Sequence, residues 1–162
     1  MPVLAASVRL ETHIPAALTG SPVGLGREQQ HQETADLFSA YQNLVAKQRK
    51  NLEDSKLAQQ GEANAQITLA LAEVEDMLAN ELVAFCDKCL IMVEERADDD
   101  FARQVRKVYD LLDSSKCYER MIGAAESLEE GNLALGIQRQ EEIMRTLMEG
   151  LKIGRASCRE RV

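Results

Sequence analysis

The stretch Ile67-Thr68-Leu69-Ala70-Leu71-Ala72-Glu73-Val74-Glu75-Asp76-Met77-Leu78-Ala79-Asn80-Glu81-Leu82-Val83-Ala84-Phe85-Cys86-Asp87-Lys88-Cys89-Leu90-Ile91-Met92 decides the fold. Ile67, Leu71, Val74, Leu78, Leu82, Phe85, Cys89 and Met92 return at steps of three and four. That is the period of a helix, whereas a half-buried strand alternates every second residue. No proline or glycine interrupts the run. The pattern predicts a core helix from about Glu62 to Arg96, with those eight side chains on its inner stripe.

The same period extends in both directions. No proline follows Pro22, and Leu37, Tyr41, Leu44, Gln48 and Leu52 form one face of a helix that begins at Glu28 or Thr34 and ends at Gln60 before Gly61. Downstream, Asp98-Asp99-Asp100 offers an N-cap and favourable charge to a third helix carrying Phe101, Val105, Val108, Leu112, Tyr118, Ile122 and Ala125, with a bend at Ser114-Ser115. Glu130-Gly131-Asn132 reads as a turn in which Gly131 ends one helix and Asn132 caps the next. A fourth helix then runs from Leu133 through Ile137, Met144, Leu147 and Leu151. Aromatic residues make up only 4% and Trp is absent, so the core must come from Leu, Ile, Val, Met and Ala, which suits helix-on-helix packing. Short connections make neighbouring helices antiparallel. The expected fold is all-α: an antiparallel up-down helical bundle or an elongated array of helical hairpins, truncated at its C-terminus. In it Leu71, Val74, Leu78, Leu82 and Phe85 pack against Val105, Val108, Leu112 and Ile137.

Three segments follow from composition. Residues 1–27 hold all three prolines and read as a leader or linker, with Val8, Leu10 and Ile14 alternating as a short strand at the edge of a preceding domain would. Residues 28–151 are the helical module. Residues 152–162, Lys-Ile-Gly-Arg-Ala-Ser-Cys-Arg-Glu-Arg-Val, back-translate without a mismatch to a DNA string that resembles a common sequencing-library adaptor. They are expected to be read-through rather than native chain, and are set aside as a tag would be. That tail carries Lys152, Arg155, Arg159 and Arg161 against Glu160, three net positive charges, so without it the formal charge falls from −8 to −11. An acidic surface repels phosphate backbones, and no basic stripe offsets it, so nucleic acid is not an expected partner. The densest apolar runs, Leu82–Cys86 and Cys89–Val93, are split by Asp87 and Lys88, well short of the roughly 18 apolar residues of a membrane span.

Chemistry-bearing motifs are sparse. Cys86-Asp87-Lys88-Cys89 is a CxxC in mid-helix, which places both sulfurs near one face, Cys89 inward and Cys86 toward a flank. Redox CxxC pairs sit at a helix start, where the dipole lowers a thiol pKa, and structural zinc needs two further ligands. Cys117 and His31 are the other candidate ligands, without a diagnostic spacing. The reading preferred for Cys86 and Cys89 is therefore core packing, with metal binding or redox chemistry as the alternative. Glu28-x-x-His31 matches one half of a di-iron pair but has no second copy, and reads as a solvated helix face. Glu94, Glu95, Asp98, Asp99 and Asp100 lack the glycine and ligand order of a calcium loop. Lys47, Arg49 and Lys50, and Arg103, Arg106 and Lys107, lie among acids and are expected to pair with them. Met77, Met92, Met121, Met144 and Met148 are core filling or, alternatively, an adaptable groove. No phosphate loop or nucleophile elbow is present, and neither a cofactor nor catalysis is expected.

Leu128-Glu129-Glu130-Gly131-Asn132-Leu133-Ala134-Leu135-Gly136-Ile137 resembles the turn of a tetratricopeptide-type helical hairpin. In that family a glycine closes the first helix and a small residue five positions on lets the second pack tightly, the role the resemblance implies for Gly136. The chain departs from the family's pattern in lacking the repeat of about 34 residues. Ile143 also stands where a small residue is expected, and no closing proline follows. The functional expectation is a non-catalytic helical interaction or spacer module of a larger protein, meeting a protein partner or a second copy through coiled-coil-like helical faces. A metal- or redox-linked regulator using Cys86 and Cys89, and a peptide-binding helical adaptor, are the alternatives.

Overall fold

The computed structural model describes the backbone of residues 23–160 and the side chains of residues 26–156. The strand expected at Val8 to Ile14 and most of the leader lie outside the described residues. Five helices are present among the described residues, with no strand: α1 (Val23–Gln60), α2 (Ala65–Glu95), α3 (Asp100–Ser114), α4 (Cys117–Glu129) and α5 (Leu133–Glu160).

The chain divides into two units at Asp36 and Leu37. The first is described from Val23 as the opening turns of α1. Here Gln32 Nε2 donates to Asp36 Oδ1 at 2.8 Å, Thr34 Oγ1 donates to the Gln30 carbonyl at 2.8 Å, and Glu28 and His31 are exposed. The helix thus takes in Val23 to Arg27, which composition assigned to the leader. Gly24 and Gly26 weaken a helix by about 1 kcal/mol each relative to Ala, whereas proline would break it, and Pro22 is the last proline.

The second unit, from Leu37 onward, is an all-α bundle over its described residues. Contact registers give its directions. Asn51 meets Leu71, Gln48 meets Glu75, and Lys47 meets Glu81, so α1 and α2 run antiparallel. Lys56 pairs with Glu141 and Tyr41 bonds the Leu147 carbonyl, which sets α5 antiparallel to α1. Helices α3 and α4 pack on α2 and α5. One apolar core joins all five helices, with Leu44, Leu78, Leu82, Met121, Ile143 and Leu147 fully buried. Each such side chain contributes about 1.5–3 kcal/mol on leaving water. Tyr41 anchors the centre: its ring lies 5.0 Å from that of Phe85 at a 43° tilt, and its hydroxyl donates to Leu147 O. Of the eight side chains expected on the inner stripe of the second predicted helix, Ile67 in its first turn is exposed and Val74 is half-buried; the other six are buried, as are Val105, Val108, Leu112 and Ile137.

Local chemistry sets the ends. Gly61 N–H bonds back to the Leu57 and Ala58 carbonyls, closing α1. The Asn64 side chain accepts from Ile67 N at 2.9 Å to start α2. Asp99 caps α3 by accepting from Phe101 N at 2.8 Å, while Arg96 pairs with Asp99 and lies 5.7 Å over the Phe101 ring. At the α4–α5 turn Gly131 adopts φ +80°, Asn132 N–H reaches Ser127 O and Gly131 N–H reaches Leu128 O, a Schellman closure. Asn132 Oδ1 then accepts from Leu135 N, as the sequence predicts.

The third predicted helix is in fact two. Ser114 and Ser115 hydroxyls bond the Leu111 and Leu112 carbonyls, and Lys116 sits in the left-handed region at φ 54° before α4 begins. The break shifts the helical phase. Cys117, Met121, Ala124 and Leu128 face the core, while Tyr118, expected inside, is exposed. The fourth predicted helix, α5, continues past Leu151 to Glu160, with Ile153 packed against the core.

Candidate functional site

Helix α2 is apolar on two sides. Its inner stripe fills the core, yet Leu69, Met77, Val83, Leu90 and Ile91 are large apolar residues left exposed on the same helix. A one-sided surface helix needs only one apolar stripe, and a helix apolar all round is normally covered on every side. Glu73, Asp76, Asp87, Glu94 and Glu95 are interspersed with them, and Lys88 is the one basic residue α2 carries. The outward surface is therefore apolar and acidic together.

Between α2, α3 and α4 this surface deepens into a groove of about 180 Å³. Val83, Cys86 and Leu90 from α2, Tyr109 and Leu112 from α3, and Tyr118 from α4 form its walls, with Asp87, Asp113 and Glu119 at its rim. The break at Lys116 makes the groove: the phase shift that buries Cys117 turns Tyr118 and Glu119 toward α2.

The electrostatics follow from the rim. Burial first, then Asp87 and Asp113, pushes the Cys86 thiol up to about 11. Tyr109 is raised by desolvation, then by Asp113 and Cys86, against the opposing charge of Arg106. Cys89 is buried in the core and is raised by desolvation and by Cys86, and Cys117 is pushed up to about 12, chiefly by burial. A nucleophilic or metal-binding cysteine needs the opposite setting, a nearby cation or helix N-terminus that favours thiolate. Among the described residues no three of His, Cys, Asp and Glu are placed to share a metal ion. Cys86 and Cys89 thus part: one lines the groove, the other fills the core.

The remaining sequence candidates resolve into structural roles. Lys47 pairs with Glu81, Lys50 with Asp54, Arg103 with Asp100 and Arg106 with Asp110, while Arg49 donates to Met148 Sδ at 3.4 Å. Met92, Met121 and Met144 are buried in the core, Met148 is half-buried and Met77 lies on the outer face of α2, so the methionines do not gather into one groove. A second cleft, of about 410 Å³, runs beside α4 and α5. Its cations Lys116, Arg120 and Arg139 are balanced by Glu119, Glu126 and Glu142. Arg139 is engaged with the Gly123 carbonyl at 2.8 Å and Ser127 Oγ at 2.6 Å.

The sequence did not reveal the groove, although its apolar signal was present. Val83, Leu90 and Ile91 are visible as surplus apolar residues off the inner stripe, but Tyr109, Asp113 and Tyr118 come from helices whose relative phase depends on Lys116. Compared with protein-family models, with curated proteins and with solved structures, the chain gives no match.

Proposed function

We propose that the chain is a non-catalytic helical interaction module that docks a basic, amphipathic helix on the outer face of α2. The observation that carries this reading is the second apolar face of α2, with Ile91 54% and Met77 57% exposed on a helix whose other side is already in the core. Covering one such side chain fully is worth about 1.5–3 kcal/mol, so several together can sustain a specific contact. Charge selects the partner. The face offers Glu73, Asp76, Asp87, Glu94 and Glu95 against Lys88, and the chain as a whole carries −8. A second copy would set acids against acids, whereas Lys or Arg flanking an apolar stripe would complement the rim of the groove.

Two designed peptides test this, an amphipathic Leu/Lys helix and a Leu/Glu helix of equal length, titrated into the full chain by fluorescence anisotropy at low and high salt. The Leu/Lys peptide should bind, weaken with salt, and lose at least about tenfold in affinity to the Leu90→Asp, Ile91→Asp double variant, a change of about 1.4 kcal/mol. Equal affinity for variant and parent, or equal binding of both peptides, overturns the reading. Concentration-dependent self-association abolished by the same variant would assign the face to a second copy instead.

A further inference from the structure

Among the described residues Glu75 is the one carboxyl that is fully buried, at the junction of α1, α2 and α5. Three side-chain amides converge on one of its oxygens: Gln48 Nε2 at 2.9 Å, Asn51 Nδ2 at 3.0 Å and Gln140 Nε2 at 2.8 Å all donate to Oε1. The other oxygen, Oε2, is buried with no donor, and so are Gln48 Oε1 and Gln140 Oε1. The node therefore gathers three buried acceptors in want of a donor, an arrangement that costs about 1–3 kcal/mol for each unsatisfied group.

The surroundings offer no positive charge. From α1 come the neutral Gln48 and Asn51, and from α5 the neutral Gln140. From α4 the facing titratable group is the Cys117 thiol, and on α2 itself it is Asp76. A carboxylate here would be a buried charge without a counter-ion, whose effective penalty is several kcal/mol. A proton on Oε2 removes the charge, occupies no volume, and supplies the missing donor to a neighbouring amide oxygen.

We propose that Glu75 is a neutral carboxylic acid in the folded protein, donating Oε2–H to the Gln48 or Gln140 carbonyl oxygen and making the α1–α2–α5 junction a pH-sensitive clamp. The proton comes from solvent on folding and returns to it on ionisation or unfolding, and no other bond changes. Desolvation raises the Glu75 pKa above its ordinary 4.5, against the three amide hydrogen bonds, which favour the charged form, and with a smaller push from Asp76. Because the folded value is the higher one, the stabilisation is complete below 4.5 and is lost as pH rises from there through the folded pKa. Across that window the folding equilibrium constant falls by about tenfold per pH unit for this one group. The clamp is thus tight in acid and loosens in alkali.

Infrared spectroscopy of the full chain at neutral pH reads the proton directly. A protonated-carboxyl carbonyl band should be present in the native protein, disappear on unfolding in denaturant, and be missing from Glu75→Gln. The parent's denaturation midpoint should drop with rising pH above the ordinary carboxyl range, while that of Glu75→Gln stays flat. Should Glu75→Gln not fold, the native-versus-denatured difference spectrum of the parent decides alone. A native spectrum with only ionised carboxylate at neutral pH overturns the proposal, as does a Glu75→Gln variant that keeps both the band and the parent's pH slope.

Discussion

Replacing Gly136 by Ala separates helix propensity from packing. Gly136 lies inside α5, where Ala for Gly should gain about 1 kcal/mol of helix stability. A Cβ at that position, however, would stand 2.7 Å from Leu128 Cδ2 and 2.9 Å from Leu128 Cγ. Leu128 has 0% exposure, so it has nowhere to retreat. Overpacking of this kind costs about 1–3 kcal/mol. The net expectation is a loss of up to about 2 kcal/mol, with the packing cost exceeding the propensity gain. Gly123→Ala is the control: its Cβ would meet the Arg139 guanidinium, Nη1 at 3.6 Å and Cζ at 3.9 Å, both ordinary contacts, so the propensity gain should survive. Since both substitutions share the propensity change, the difference between them isolates the packing cost, about 1–3 kcal/mol. Urea unfolding followed by far-ultraviolet circular dichroism measures both, with equal slopes licensing the comparison. If Gly136→Ala proves as stable as Gly123→Ala, the close approach of α4 and α5 at Leu128 is refuted, and with it the role the helical-hairpin resemblance implies for that glycine.

Leu78→Ala should destabilise the bundle by about 2–5 kcal/mol, since Leu78 is fully buried in the core; an unchanged urea midpoint would show that the inner stripe of α2 has been misplaced. For the groove thiol, a value near 11 leaves only about one part in ten thousand as thiolate at neutral pH. The alkylation rate lost in Cys86→Ser should therefore climb about tenfold per pH unit through pH 9, and a plateau at lower pH would restore the redox reading of Cys86 and Cys89.

Much of the fold was legible because helices announce themselves locally. The spacing from Leu71 to Met92 is a property of neighbouring residues on one turn-repeat, and it determined the inner face of α2 before any partner was known, missing only at Ile67 in the first turn. Gly61, Asp99, Gly131 and Asn132 act through bonds spanning a few residues, so the turn chemistry was legible in the same way. Elsewhere the deciding contacts were not local. Lys116 is an ordinary residue that takes φ 54° because Cys117 and Met121 gain burial in the core when α4 is rephased. Period alone could not choose that break over a bend. Nor could composition identify Glu75: it sits among Glu73, Asp76 and Glu81 as one more acid of an acidic helix. Only assembly brings Gln48, Asn51 and Gln140, from positions 24 to 65 residues away, onto one of its oxygens. The apolar surplus of α2 was likewise written in the chain, but its framing into a groove by Tyr109, Asp113 and Tyr118 depended on where α3 and α4 packed. Local periodicity thus determined the elements and their ends, while burial, shared among distant residues, decided which side chains became core, which became groove, and which carboxyl lost its water.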